Sequence, residues 1–397
     1  PLPVQSIGSN VLAETTLPPC GWRTLRRSET ASPAADRSRA GARAGDRTLE
    51  NECLKATFNE RGEIVSLIDR ETGGEWAAGP MNRFRLFRDV PRAYDAWDID
   101  SNYEQFEETL SGEARLETLA SGPLVAILRV TRSLGRSTLT QEVWLRRNQR
   151  RLDFRTVVDW REKHRLLKVA FPTPIRSMEA LHEIQFGHIA RPTHRSLPFD
   201  AERFETAQHK WTAIREENRG AALLNDCKYG GNVVGGTLQL TLLRAPLAPD
   251  PQADQGLHEF TYAFTFWNGP FMESNLVRDA YDLNVPVALR EGRAGEGSAF
   301  TLEGHPAVLE TVKPAEDGSE ACIVRLYEPW RATGEVRLKT DRPLRAAWFT
   351  DLRERPQRRA SVTREGIVIP LRPFQIVTLR LEWAGASPQS KGVLHEH

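Results

Sequence analysis

The 397-residue sequence predicts an all-β protein, a large β-sandwich followed by a smaller one. Three observations carry that expectation. Short runs of alternating apolar and polar residues recur at close spacing from Leu49 onward. Polar turn residues separate them, as between consecutive antiparallel strands. Only "SNLVRDAYDL", 274–283, makes a fair helix, and that near-absence of helices excludes an α/β barrel within this chain. No short-period repeat is visible, so propellers and solenoids are not supported.

Taken in order, residues 1–27 hold one or two extended segments broken by Pro18-Pro19 and read as the end of a small β domain. "SETASPAADRSRAGARAGDRT", 28–48, has almost no large apolar side chain and reads as a flexible linker or exposed loop. Residues 49–294 form the large sandwich. Within it, "LENECLKATFNERGEIVSLIDRETG" gives two strands around a turn at Glu60-Arg61-Gly62, and "RLDFRTVVDW" alternates at Leu152, Phe154, Val158 and Trp160. A break at "GEGSAF" opens the small C-terminal sandwich, 295–397. The opening "PLPVQSIGSNVLAETTLPPCGW" has no initiator Met and reads as the middle of a longer protein.

Composition narrows the function classes. Lys+Arg is 54 against Asp+Glu at 53, without the basic excess of nucleic-acid or membrane-surface proteins. No apolar run approaches the ~18 residues that span a bilayer. Cys20, Cys53, Cys227 and Cys322 lie far apart, which reads as reduced, buried thiols, with neither a disulfide framework nor a zinc site. No N-x-[ST] sequon occurs, so a cytoplasmic location is the default.

Two stretches stand out as chemistry. "RAYDAWDIDSNYE", 92–104, sets Asp95, Asp98 and Asp100 around Trp97. Carboxylates accept sugar hydroxyl hydrogens and flat rings stack on apolar sugar faces; a hydrated acidic turn is the competing reading. Acids this close in sequence rarely flank a glycosidic bond as a catalytic pair does. The second stretch, "EIQFGHIARPTHRS", 183–196, pairs His188 and Arg191 with His194 and Arg195. Such groups bind a carboxylate or move protons, and a structural loop is an equal alternative. In "LLNDCKYGGNVVGG" the glycines follow Lys228, so the phosphate-loop reading fails, and Asn225 is a minor cleft candidate.

Read in order, "LENECLKATFNERGEIVSLIDRETGGEW", "NRFRLFRDVPRAYDAWDID", "EIQFGHIARPTHRS", "HKWTAI", "ALLNDCKYGG" and "HEFTYAF" resemble the C-terminal half of the α-mannosidases of glycoside hydrolase family 38. "VRLYEPW", "FTDLRERP" and "LRPFQIVTLRL" are similar to that family's terminal β domain. The resemblance implies a mutarotase-like supersandwich plus an accessory sandwich. It also implies a parent enzyme that hydrolyses terminal α-mannosides with retention, using zinc held by two His and two Asp. Those residues belong to an N-terminal α/β barrel and the helical region after it, so no catalytic and no metal-binding residue is expected in this chain. Asp95, Trp97 and Asp98, with His188, Arg191 and Asn225 behind them, are the expected substrate-binding residues. Expected partners are a mannose-containing oligosaccharide, the parent's catalytic domain and further copies of the chain, with no nucleic acid and no membrane. One departure stands out: after "HEFTYAF" the family tends to continue Tyr-Pro-His, whereas this chain reads "TFWNGPF". The alternatives are a free-standing lectin-like mannoside-binding module without catalysis and, ranked last, a mutarotase-like enzyme using His188 and Glu183.

Overall fold

A computed structural model describes residues 2–26, 41–292 and 295–385. The chain divides into two compact units, one of Pro1–Thr15 with Ser28–Ala288, the other of Thr16–Arg27 with Leu289–His397.

The larger unit is a sandwich of a nine-stranded and a six-stranded antiparallel sheet. The nine-stranded sheet includes Val125–Leu134, Ser137–Arg146, Arg151–Trp160 and the long strand Gly256–Asn268. In the six-stranded sheet Arg165–Pro172 lies between Arg83–Arg88 and Thr237–Leu243. Alternation explains the core. Leu152, Phe154, Val158 and Trp160 are all fully buried, and Phe154 meets Phe171 of the facing sheet at 5.5 Å between ring centroids. Leu167, Val169 and Phe171 point into this core, so Leu166, Lys168 and Ala170 fall on the opposite face. There Tyr103 and Phe204 cover them, with Leu166, Phe87 and Tyr103 forming a satellite apolar cluster.

The early residues depart from expectation. Val4–Ile7 and Asn10–Ala13 form a hairpin of the larger unit. It is pinned by buried Gln5, whose Nε2 donates to Val125 O at 2.9 Å and whose Oε1 accepts from Leu124 N and Val125 N. Gly21–Arg23 instead pairs with Glu296–Ser298 in the smaller unit. Residues 1–27 are therefore shared between the two units and form no domain end of their own. Most of the expected linker, 28–40, lies outside the described residues, but its last part is corrected: Arg43–Gly45 is a strand paired with Thr48–Glu50. Ala42 and Leu49, both buried, hold it down.

The smaller unit packs a five-stranded sheet on a four-stranded one around Val324, Leu326, Val336, Leu338, Ile369 and Leu379. The nine-residue helix Leu276–Asn284 lies on the outer face of the nine-stranded sheet, its Leu276 and Ala280 packed with Trp211 and Trp267. No helix among the described residues is long and apolar enough to cross a membrane. All four cysteines are free, and the expectation that they are buried is corrected: Cys20 and Cys227 are exposed, Cys53 and Cys322 half-buried.

Candidate functional site

The loop after Arg83–Arg88 rises from one end of the six-stranded sheet. Arg88 pairs with Arg165, and Leu167 with Leu243, so the starts and ends of three neighbouring strands meet there. Each supplies a support. Asp95 Oδ2 accepts from Leu247 N at 2.7 Å and Ala248 N at 3.0 Å, and lies 3.1 Å from His164 Nε2. Burial pushes the Asp95 carboxyl up, but those two amides and His164 outweigh it and hold it below the usual carboxylate range. The Arg244 guanidinium donates to the carbonyl oxygens of Asp98 at 2.6 Å, Asp95 at 3.1 Å and Ala96 at 3.4 Å. Its Nε is held at 2.7 Å by Asp89, a carboxyl that burial pushes up against the pull of this same arginine.

The loop is thus clamped at its base and bare at its tip. Tyr94 adopts φ of +57°, in the left-handed region that costs a bulky residue strain. Trp97 N and Asp98 N both donate to its carbonyl, at 2.7 and 2.9 Å. That tight turn leaves Tyr94 74% and Trp97 75% exposed. Asp98 is exposed as well, with Oδ1 accepting from Ile99 N at 2.9 Å. Beside the loop lies an open hollow of 270 Å³ lined by Asp89, Pro91, Asp100, Asn102, Tyr103 and Phe106. A rigid carboxylate-bearing loop presenting two bare rings can stack on a sugar face and accept its hydroxyl hydrogens.

The six expected residues do not converge. Asp95, Trp97 and Asp98 share this loop, with Asp95 spent on holding it in place. His188 and Arg191 stand three positions apart on the strand Gly187–Pro192, and alternation turns them to opposite faces. His188, only 8% exposed, packs 5.7 Å from the rings of both Trp211 and Phe271. Arg191 borders a narrow cavity with His182, His194 and Asn232. Asn225 is fully buried, its Nδ2 donating to His209 O at 2.7 Å and its Oδ1 accepting from Lys228 N at 2.8 Å. His188 and Asn225 are thus both engaged within the unit, His188 against aromatic rings and Asn225 inside a turn. His164 and Arg244, which fix the loop, escaped sequence reasoning because they lie 69 and 149 residues from Asp95. Among the described residues no three His, Cys, Asp or Glu side chains converge as a metal site would require.

Comparison with known proteins decides the family. The profile described as "Glycosyl hydrolases family 38 C-terminal domain" matches residues 49–252. The chain belongs to glycosyl hydrolase family 38. A second profile, that family's C-terminal β-sandwich domain, matches residues 306–379 of this family 38 chain. The chain is 38% identical over 354 residues to human α-mannosidase 2C1, covering 85% of this chain and 34% of that protein. It is 27% identical over 379 residues to an α-mannosidase of Saccharomyces cerevisiae, covering 84% of this chain and 34% of that protein. The chain thus spans about a third of the length of these curated relatives. A family 38 protein from Enterococcus faecalis superposes with a TM-score of 0.74 at 18% identity, over 94% of this chain and 48% of the other, which shows the shared fold.

Proposed function

We propose that this chain is the C-terminal β portion of a retaining, zinc-dependent α-mannosidase acting on terminal α-mannosides, and that its 92–104 loop forms part of the substrate cleft. The observation that carries the cleft role is a loop locked at its base by Asp95, His164 and Arg244 while Trp97 stands bare at its tip. In this reading the chain's other task is to buttress the parent's catalytic barrel. The residues that hold zinc and attack the sugar belong to that barrel, so no chemical step is assigned to side chains here.

The chain's own part is positional. Trp97 supplies a flat apolar surface for the pyranose ring, and Asp98 accepts a hydroxyl hydrogen. Asp95 and Arg244 keep both from reorganising when substrate arrives, which lowers the ordering cost of binding.

Two outcomes follow. In the full-length parent, Trp97→Ala raises KM about tenfold, since a well-placed aromatic contact contributes about 0.5–1.5 kcal/mol beyond its area and 1.4 kcal/mol is tenfold. Its thermal stability stays within about 0.5 kcal/mol of the original, because the side chain is exposed. Steady-state kinetics with an aryl α-mannoside measure this, and an unchanged KM removes the loop from the cleft. Assayed alone with added zinc, the chain shows no hydrolysis; zinc-dependent turnover by it would sink the assignment of the chemistry elsewhere.

A further inference from the structure

The sandwich of the larger unit has a lateral edge where each sheet ends, the nine-stranded one with Gly187–Pro192 and the six-stranded one with Thr206–Ala207. Arg191 pairs across the ladder with Ala180 of the core, so its side chain enters this edge from the inner face. Thr206, Asn232 and Val234 line the narrow cavity there from the other sheet. The connection between the two end strands supplies the remaining wall, with His194, Arg195, Asp200 and Arg203.

The charge around this cavity is unbalanced. Asp200 is the one carboxylate among the lining residues, and it is taken: His194 Nδ1 lies 3.5 Å from its Oδ2, which also accepts from Leu197 N at 3.3 Å. Arg195 is held by Glu104 at 2.8 and 3.1 Å. Arg191 and Arg203 are left over. At Arg85, Arg165 and Arg244, which are also half-buried, a carboxylate balances the charge, from Glu107, Glu108 and Asp89. Half-buried Arg191 has no such partner among the described residues; burial first, then the charge of Arg203, lowers its pKa. Arg203 is exposed, its guanidinium 5.6 Å from the Phe199 ring centroid, and it too has no carboxylate among the described residues. A half-buried cation beside a like charge carries a cost that an anion between the two relieves. Nη1 of Arg191 is sealed off, so a ligand meets this guanidinium at Nε and Nη2, at the mouth it shares with Arg203. A narrow mouth admits the head of a carboxylate or phosphate and no sugar ring, and guanidinium forks take such oxygens in pairs.

We infer that Arg191 and Arg203 form an oxyanion site at this edge of the sandwich, taking one carboxylate or phosphate group. The test is titration of the full chain with inorganic phosphate at constant ionic strength in a chloride background, followed by calorimetry. Phosphate saturates in the low millimolar range. Arg191→Gln and Arg203→Gln each weaken it at least about tenfold, as the loss of one charge-assisted hydrogen bond does. Arg353→Gln, at an exposed arginine of the smaller unit, leaves it unchanged and controls for bulk charge. Neither Arg191 nor Arg203 gives up a carboxylate partner on substitution, so both variants fold. Without phosphate, Arg191→Gln melts at or above the original, because the repulsion is gone. With phosphate, the original gains thermal stability and the two variants do not. Repeating the titration on the full-length parent separates two sources of the group. Phosphate that binds the chain but not the parent assigns the site to an acidic side chain of the parent's remaining portion, and phosphate that binds both assigns it to a soluble anion. Failure of phosphate to saturate the chain overturns the inference and leaves the two arginines as solvated charges. So does saturation that Arg191→Gln and Arg203→Gln both leave intact.

Discussion

Glu205→Leu is expected to destabilise the larger unit by about 3–5 kcal/mol, the cost of leaving a buried charge without its partner. The target is Lys168, fully buried in mid-strand on the outer face of the six-stranded sheet. Its Nζ donates to Glu205 Oε1 and lies 3.2 Å from the Tyr103 hydroxyl. Glu205 in turn accepts from Tyr103 at 2.9 Å, Asn232 at 3.2 Å and Thr241 at 3.0 Å. One carboxylate thus ties three strands to the segment that carries Tyr103. Burial already holds the lysine's pKa well below its ordinary value. Without the carboxylate, the ammonium either loses its proton or opens the cover that Tyr103 and Phe204 provide. Adding Lys168→Met to Glu205→Leu restores most of the loss, since an apolar pair of similar volume is often neutral in such a place. Urea denaturation of the two single variants and the double variant measures the coupling. A single-variant loss under about 1 kcal/mol would mean the ion pair does not hold the cover.

His182 sets the second large effect, and it depends on pH. It is buried on the strand Glu179–Ile184, 3.4 Å from the Thr212 hydroxyl. Burial first, then the positive charge of Arg191, pulls its pKa down to about 3, with a hydrogen bond to Gln208 opposing them. Below about pH 6.5 the unfolded chain binds a proton that the folded chain refuses until about 3, so stability falls as pH falls through that window. The slope is about 1.4 kcal/mol per pH unit. Asp279 has the opposite sign. Burial raises it to about 6, so it favours the folded state as pH drops from 6 toward its unfolded value. Comparing the original with His182→Asn cancels the Asp279 contribution. Between pH 7 and pH 5 the original loses about 2 kcal/mol relative to the variant. Parallel stability profiles would show that His182 is protonated in the folded chain.

How much of this was legible follows from where the determinants lie. The strand Arg151–Trp160 was readable because its period-two pattern is local and its buried positions are large. The loop around Trp97 was readable as composition, acids interleaved with rings. Its anchors were not, because His164 and Arg244 reach it only once the strands have paired. The same holds for Lys168, a charged residue in an apolar run whose partner and cover arrive from 37 and 65 residues away. Strand Arg43–Gly45 offers only Ala44 as an apolar side chain, so no alternation announces it. Gly21–Arg23 joins the smaller unit through a three-residue pairing with Glu296–Ser298, some 270 residues distant, for which local pattern has no signal. The burial of Asn225 and His188 was equally hidden from local pattern. Polar residues in Gly-rich or His-rich stretches look available, but each is buried, Asn225 within a turn that it ties together and His188 against aromatic rings.

The most direct test of the central claim is a structure of the full-length parent with a non-hydrolysed mannoside bound. The cleft reading predicts Trp97 at the edge of the catalytic cleft, its ring within about 4.5 Å of the sugar. A Trp97 loop facing solvent away from the bound mannoside would contradict it and leave this chain a scaffold alone.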